Sequence, residues 1–154
     1  MRAKRITWSV VVLALGIAPN GANSVLAQTP SPGGSLALRT LSEMKWEPTA
    51  RPDTARINVF GDSSKGPFIF FSRYDTGWQL PLHFHTNDLR GVILSGTFII
   101  HVSGLPAKEL PTGSYFFVPG KTQHTDACAP GPPCIVYFSG DAPLDRINVS
   151  GPQH

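Results

Sequence analysis

The stretch whose reading decides the fold is "LPLHFHTNDLRGVILSG", residues 80–96, in which two histidines stand one residue apart ahead of a β-branched run closed by glycine. In an extended strand alternate side chains share a face, so His83 and His85 point together while Leu82 and Phe84 point the other way. At roughly 3.3 Å per residue their Cα atoms lie about 6.6 Å apart, close enough for both imidazoles to converge on one ion. A third imidazole is offered by His124, because the strand "SYFFVP" and a Pro-Gly turn ahead of it would return the chain beside the first pair. Three neutral imidazoles on a β-scaffold suit a divalent metal ion, Fe, Mn, Zn, Ni or Cu, and residue types alone do not choose among these. The competing reading is of surface or hydrogen-bonded histidines. His101, alone in "TFIIHV", is read that way, and His154 is read as a solvated tail residue.

Outward from this stretch the chain is a succession of short β-branched and aromatic runs, "RINVF", "PFIFFSRY", "LPLHFH", "GVILSG", "TFIIHV", "SYFFVP" and "CIVYFS", cut by Gly, Pro, Asn or Asp. That pattern is all-β and points to a sandwich or a small barrel. Only "LSEMKWEP", residues 41–48, could hold a turn or two of helix, with Ser42 as N-cap and Pro48 as its end. There is no internal repeat, heptad, phosphate-binding glycine loop or GxSxG elbow, so nucleotide hydrolysis and serine-esterase chemistry have no support.

The chain opens with Arg2, Lys4 and Arg5, an apolar run "ITWSVVVLALGIA" and a small-residue ending "SVLA", the order of a secretory signal peptide over residues 1–27. Cleavage is expected after Ala27, which implies a periplasmic or secreted protein; the competing reading is an uncleaved anchor. No later run reaches the roughly 18 apolar residues of a membrane span, so none is expected after cleavage. Residues 28–40 begin with "QTPSPGGSL" and read as a flexible leader, and 41–154 as one domain. The 13 Lys plus Arg exceed the 10 Asp plus Glu by three, and the signal segment holds three of the basic residues and none of the acidic. The mature chain is therefore formally neutral, and nothing in its charge proposes nucleic acid as a partner. Cys128 and Cys134 flank "APGPP" and, in an oxidising compartment, are expected to form a local disulfide, with a thiolate metal ligand as the alternative.

These residues resemble the cupin superfamily, the double-stranded β-helix, jelly-roll-like barrels. Its first motif fits Gly77, "WQLPL", His83, Phe84, His85 and Gly96; its second fits Gly113, "SYFFV", Pro119 and His124. The resemblance covers roughly residues 56–140, and "PLHFHTNDLRGVILSGTF" is similar to the small single-domain cupins of anti-sigma-factor type. It implies that His83, His85 and His124 are metal ligands. It also marks departures: Leu89 falls on the usual glutamate, with Arg90 at the permitted one-residue variation and Asp88 outside the spacing. Lys121 stands at the second motif's second glycine, and Cys128 at its asparagine.

Three imidazoles around a divalent ion leave a +2 centre, which favours an anionic or chelating small molecule. Strand parity places Gln79 with the histidines and Tyr115 and Phe117 with Pro119, as pocket residues, and Arg90 could meet an anionic substrate if turned inward. Three functions are carried forward: small-molecule oxidation of dioxygenase type, a non-catalytic ligand or metal sensor or carrier, and a structural barrel without metal. No acid or base argues for itself by position. Dimerisation through the sheets is the default that the resemblance implies.

Overall fold

The computed structural model describes residues 36–149. The expected signal peptide and most of the leader lie outside the described residues. A short 3-10 turn, Leu41–Glu43, opens the folded part; its N-cap is Thr40, not Ser42, because Glu43 reaches back to accept the Thr40 backbone N–H at 2.6 Å. The helix expected in "LSEMKWEP" goes no further, since Glu47–Pro48 already pairs as an edge strand.

Among the described residues eleven strands follow in chain order: β1 (Glu47–Pro48), β2 (Thr54–Gly61), β3 (Phe68–Tyr74), β4 (Gln79–Phe84), β5 (Leu89–Ser95), β6 (Thr97–Val102), β7 (Lys108–Pro111), β8 (Tyr115–Val118), β9 (His124–Cys128), β10 (Cys134–Gly140) and β11 (Ile147–Asn148). They form two antiparallel sheets, β1-β2-β3-β10-β5-β8 and β11-β4-β9-β6-β7. Phe70, Phe138, Ile93 and Val136 from the first sheet pack in one cluster with Phe98 and Ile100 from the second, so the sheets close face to face. Burying a side chain such as Phe98 contributes about 2 to 3 kcal/mol. The expected all-β barrel is what the chain forms. Among the described residues no helix is long and apolar enough to cross a membrane.

Three local features set the site. β5 turns into β6 at Gly96, whose φ of +74° only glycine adopts readily, and a Cβ there would lie 2.9 Å from the Pro132 carbonyl oxygen. The Pro-Gly turn between β8 and β9 carries the same left-handed geometry one residue later, at Lys121, with φ +66°. The lysine that departs from the family glycine therefore keeps the glycine's backbone. Its N–H donates to the His85 carbonyl at 2.6 Å, fixing the end of the first histidine strand against the start of the second. Finally, Cys128 and Cys134 are joined as a disulfide, tying the end of β9 to the start of β10 across the Pro-rich loop.

Candidate metal centre

β4 and β9 are neighbours, and their register pairs His83 with His124 directly. His85 follows β4 on the same face. One potential ligand atom from each of the three residues lies within 4.8 Å of the others, and the side chains are buried, at 0% exposure for His83, 8% for His85 and 1% for His124. His101 pairs with Thr125 on the outward face and is exposed, the solvated strand position expected of it.

The backbone decides which nitrogen each imidazole turns inward. Nδ1 of His83 lies 2.8 Å from the Pro81 carbonyl oxygen, Nδ1 of His124 lies 2.8 Å from that of Thr122, and Nδ1 of His85 meets that of Asp145. A carbonyl oxygen only accepts, so each Nδ1 carries the proton and each Nε2 keeps a bare lone pair. Burial makes protonation of these rings costly: it pushes the His83 pKa down to about 4, with the backbone bond to Pro81 opposing, and lowers those of His85 and His124. At neutral pH the three rings are neutral.

Asp126, which the sequence reading did not single out, lies beside the group. It follows His124 by two residues on β9, so both share the inner face, and its Oδ2 lies 3.6 Å from Nε2 of His83 and 3.9 Å from Nε2 of His124. These are not ion pairs, since the imidazoles are neutral. Burial pushes the Asp126 carboxyl up to about 7. The signal that could have found it is the spacing His124-x-Asp126, the same alternation that marks His83-x-His85.

A divalent ion fits this set. Nε2 of His83 is buried without a hydrogen-bond partner, and lone pairs on nitrogen and carboxylate oxygen face one another across 3.6 Å. Such an arrangement is repulsive unless a cation or a proton lies between the two atoms. Nitrogen and oxygen donors of this kind bind divalent ions at roughly 2.0 to 2.2 Å, and the carbonyl bonds at Nδ1 are the outer contacts that orient metal-bound histidines.

The centre opens on a cavity of about 460 Å³ whose walls include His83, His85, Asp126, Leu89, Phe70, Tyr74, Trp78 and Arg56. Leu89 is buried and faces this cavity, so the position of the family glutamate points inward but carries no donor. Asp88 points elsewhere and accepts the Gly120 N–H at 2.8 Å.

The four other residues expected to line a pocket do not line this cavity. Tyr115 and Phe117 are 60% and 46% exposed, because Phe116 and Val118 hold the inner face of β8. Gln79 is exposed: the β4–β9 register shifts between Leu80 and His83, a bulge that brings Leu80 to the inner side and breaks the alternation counted back from the histidines. Arg90 pairs with Asp141 at 2.8 Å and lies over the outer face of Phe117.

A family model, the ChrR cupin-like domain, matches residues 35–142. The chain belongs to this cupin family. The polyketide cyclase RemF from Streptomyces resistomycificus superposes with a TM-score of 0.65 at 17% identity, covering 77% of this chain and 89% of that one. An RmlC-like cupin from Ralstonia eutropha gives 0.61 at 19% identity, with coverages of 76% and 78%. The Rhodobacter sphaeroides complex of SigE with the anti-sigma ChrR gives 0.53 at 18% identity; here the match covers 67% of this chain and 51% of that one. At these identities the likeness concerns the cupin fold. No curated protein matches the chain by sequence.

Proposed function

We propose that this chain is an exported, metal-dependent cupin that takes a small chelating molecule at its His83–His85–His124 centre and transforms it by metal-assisted proton abstraction, with dioxygenase-type oxidation as its oxidoreductase form. The observation that carries the reading is the convergence of three imidazoles, each with its Nδ1 on a backbone carbonyl, beside the Asp126 carboxylate, with His83, His85 and Asp126 lining one cavity. His83, His85 and His124 would hold a divalent ion, which would supply Lewis acidity to a substrate oxygen. The protein's own part is threefold. The carbonyls of Pro81, Thr122 and Asp145 orient the rings; Leu89 and the aromatic walls exclude water; Oδ2 of Asp126 holds or receives the proton. With a pKa pushed to about 7, Asp126 suits a base that works near neutral pH. It answers the sequence-level lack of an acid or base.

Export rests on the basic, apolar and small-residue order of residues 1–27, and a disulfide in the Pro-rich loop accords with an oxidising compartment. The test is elemental analysis of tag-free mature protein reconstituted with Fe, Mn, Ni, Cu and Zn, beside a His83→Ala/His85→Ala variant. About one equivalent in the wild type and under about a tenth in the variant is expected; a wild type without metal sinks the reading. The iron-loaded protein, mixed anaerobically with diketones, catechols or thiols and then exposed to oxygen, separates the branches. Oxygen uptake with one of these supports oxidation, proton exchange at the substrate without uptake supports the non-oxidative branch, and neither across the panel leaves the sensor or carrier.

A further inference from the structure

Among the described residues, three buried side-chain polar atoms have no hydrogen-bond partner: Nε2 of His83, Nε1 of Trp78 and Nε of Arg56. All three residues line the same cavity. His83 is accounted for by the metal centre. The other two are N–H donors, and a buried donor without an acceptor costs roughly 1 to 3 kcal/mol.

Arg56 stands on β2 with Ser72 of β3 and Glu47 of β1 as its register partners. Its guanidinium lies on the ring of Phe70, with Cζ 3.8 Å from the centroid, and its polar contact is a long one, 3.5 Å to Oγ of Ser63. No carboxylate pairs with it among the described residues. Glu47 is exposed and sits 3.4 Å from Lys45, and Asp62 nearby in sequence is held by Lys65 at 2.8 Å. The other acidic residues of the cavity are engaged: the Asp145 carboxylate accepts the Thr86 N–H at 2.7 Å and the Thr86 hydroxyl, and Asp126 lies beside the histidines, 3.6 Å from Nε2 of His83. Two more cations line the same space, Arg51, which lies over Trp78, and Arg146. A half-buried guanidinium stacked on an aromatic ring and left without an anion is a site for one, since its planar fork matches a carboxylate in two bonds.

We propose that the β2–β3 wall is an anion subsite centred on Arg56, and that the molecule taken at the metal centre is a small organic acid. Its carboxylate lies on the guanidinium, its flat apolar body lies among Phe70, Tyr74 and Trp78, and a second oxygen reaches the histidines. The buried Nε shows that the fold offers the guanidinium nothing on its inner side; the occupant meets the terminal nitrogens. This inference deepens the function proposed above and rests on it for the second oxygen alone. The role of anion partner expected of Arg90 passes to Arg56, because Arg90 is already neutralised by Asp141.

The experiment titrates benzoate and its neutral isostere benzamide into metal-free and zinc-loaded protein by ligand-observed nuclear magnetic resonance. Wild type is expected to prefer benzoate by at least tenfold in both forms, Arg56→Gln to erase the preference while binding zinc at the wild-type stoichiometry, and Arg56→Lys to keep part of it. Equal binding of the two probes to wild type overturns the proposal, as does an Arg56→Gln variant that still prefers benzoate. The wild-type comparison can still overturn the proposal if the variants fail to fold, and Arg51→Gln and Arg146→Gln, which should keep the preference, then assign it to Arg56 by exclusion. A benzoate preference in protein that takes up no zinc upholds the subsite while rejecting the metal centre.

Discussion

Two strand pairs of the barrel are built from the same strand chemistry and arrive at opposite polarity. The β4–β9 pair turns His83, His85, His124 and Asp126 inward, whereas the β5–β8 pair turns in Leu89, Phe116 and Val118. In the cupin pattern a glutamate on the second pair would share the centre; here that position is leucine, and the carboxylate that lies near the histidines is that of Asp126 on β9, 3.6 Å from Nε2 of His83. The lesson is that an acidic side chain can approach a centre from a strand the family pattern does not mark. A carboxylate on β9 stands on the same sheet as the three histidines, while β5 presents only the apolar Leu89 to the cavity.

The largest effect expected from breaking this division comes from Asp126→Asn. It keeps the size of the side chain and removes the anionic oxygen, and metal affinity is expected to fall by about 10 to 100-fold, measured by competition with a chromogenic chelator. An unchanged affinity would show that Asp126 lies outside the metal's reach. The comparison is sharpened by adding Leu89→Glu to that variant, which returns the carboxylate to the β5 wall. Metal affinity should recover most of the loss. In metal-free protein the same glutamate, buried in an apolar wall, should lower stability by about 2 kcal/mol in urea unfolding.

A smaller effect separates the two kinds of titrating group in metal-free protein. Burial holds His83 at about 4, below the unfolded value near 6.5, so its stabilisation is present above 6.5 and is lost as pH falls through 4. His85 and His124 share that sign. Asp126 has the opposite one: its folded value near 7 lies above the unfolded 3.8, so its contribution is full below 3.8 and is lost as pH rises through 7. Between pH 4 and 6.5 the two trends oppose. Asp126→Asn removes one of them, and its melting temperature should climb more steeply with pH over this window than that of wild type; a shallower climb would reverse the assignment.

The smallest effect lies in the turn that docks the walls' ends. Lys121 occupies left-handed backbone that costs a non-glycine residue about 1 kcal/mol, so Lys121→Gly should raise stability by a few tenths to about 1 kcal/mol in the same unfolding assay, after the unfolded chain's gain in freedom is subtracted. A loss would mean that the lysine side chain is itself used.

Much of this arrangement could be read before any coordinates. The alternation His83-x-His85, the closing Gly96 and the Pro-Gly turn before His124 are local rules of strand and turn, and each holds in the barrel. The His124-x-Asp126 spacing is equally local and was legible in principle, but a lone aspartate in a strand carries no mark that separates an inner from an outer face. Period-two alternation states which residues share a face and never which face is buried. That is why Tyr115 and Phe117 were placed inward when Phe116 and Val118 hold that side, and a single bulge at the start of β4 was enough to exclude Gln79.

What the sequence determined by itself, then, is the all-β barrel and the three imidazoles, because these follow from backbone periodicity and turn chemistry within a few residues. Only the tertiary structure decided the rest: that Asp126 lies beside the histidines, that Leu89 faces the cavity without a donor, and that Arg56, some thirty residues away in the chain, meets the same cavity. Those relations depend on sheet register and closure, which are settled by packing between strands remote in sequence and not by any one strand's own pattern.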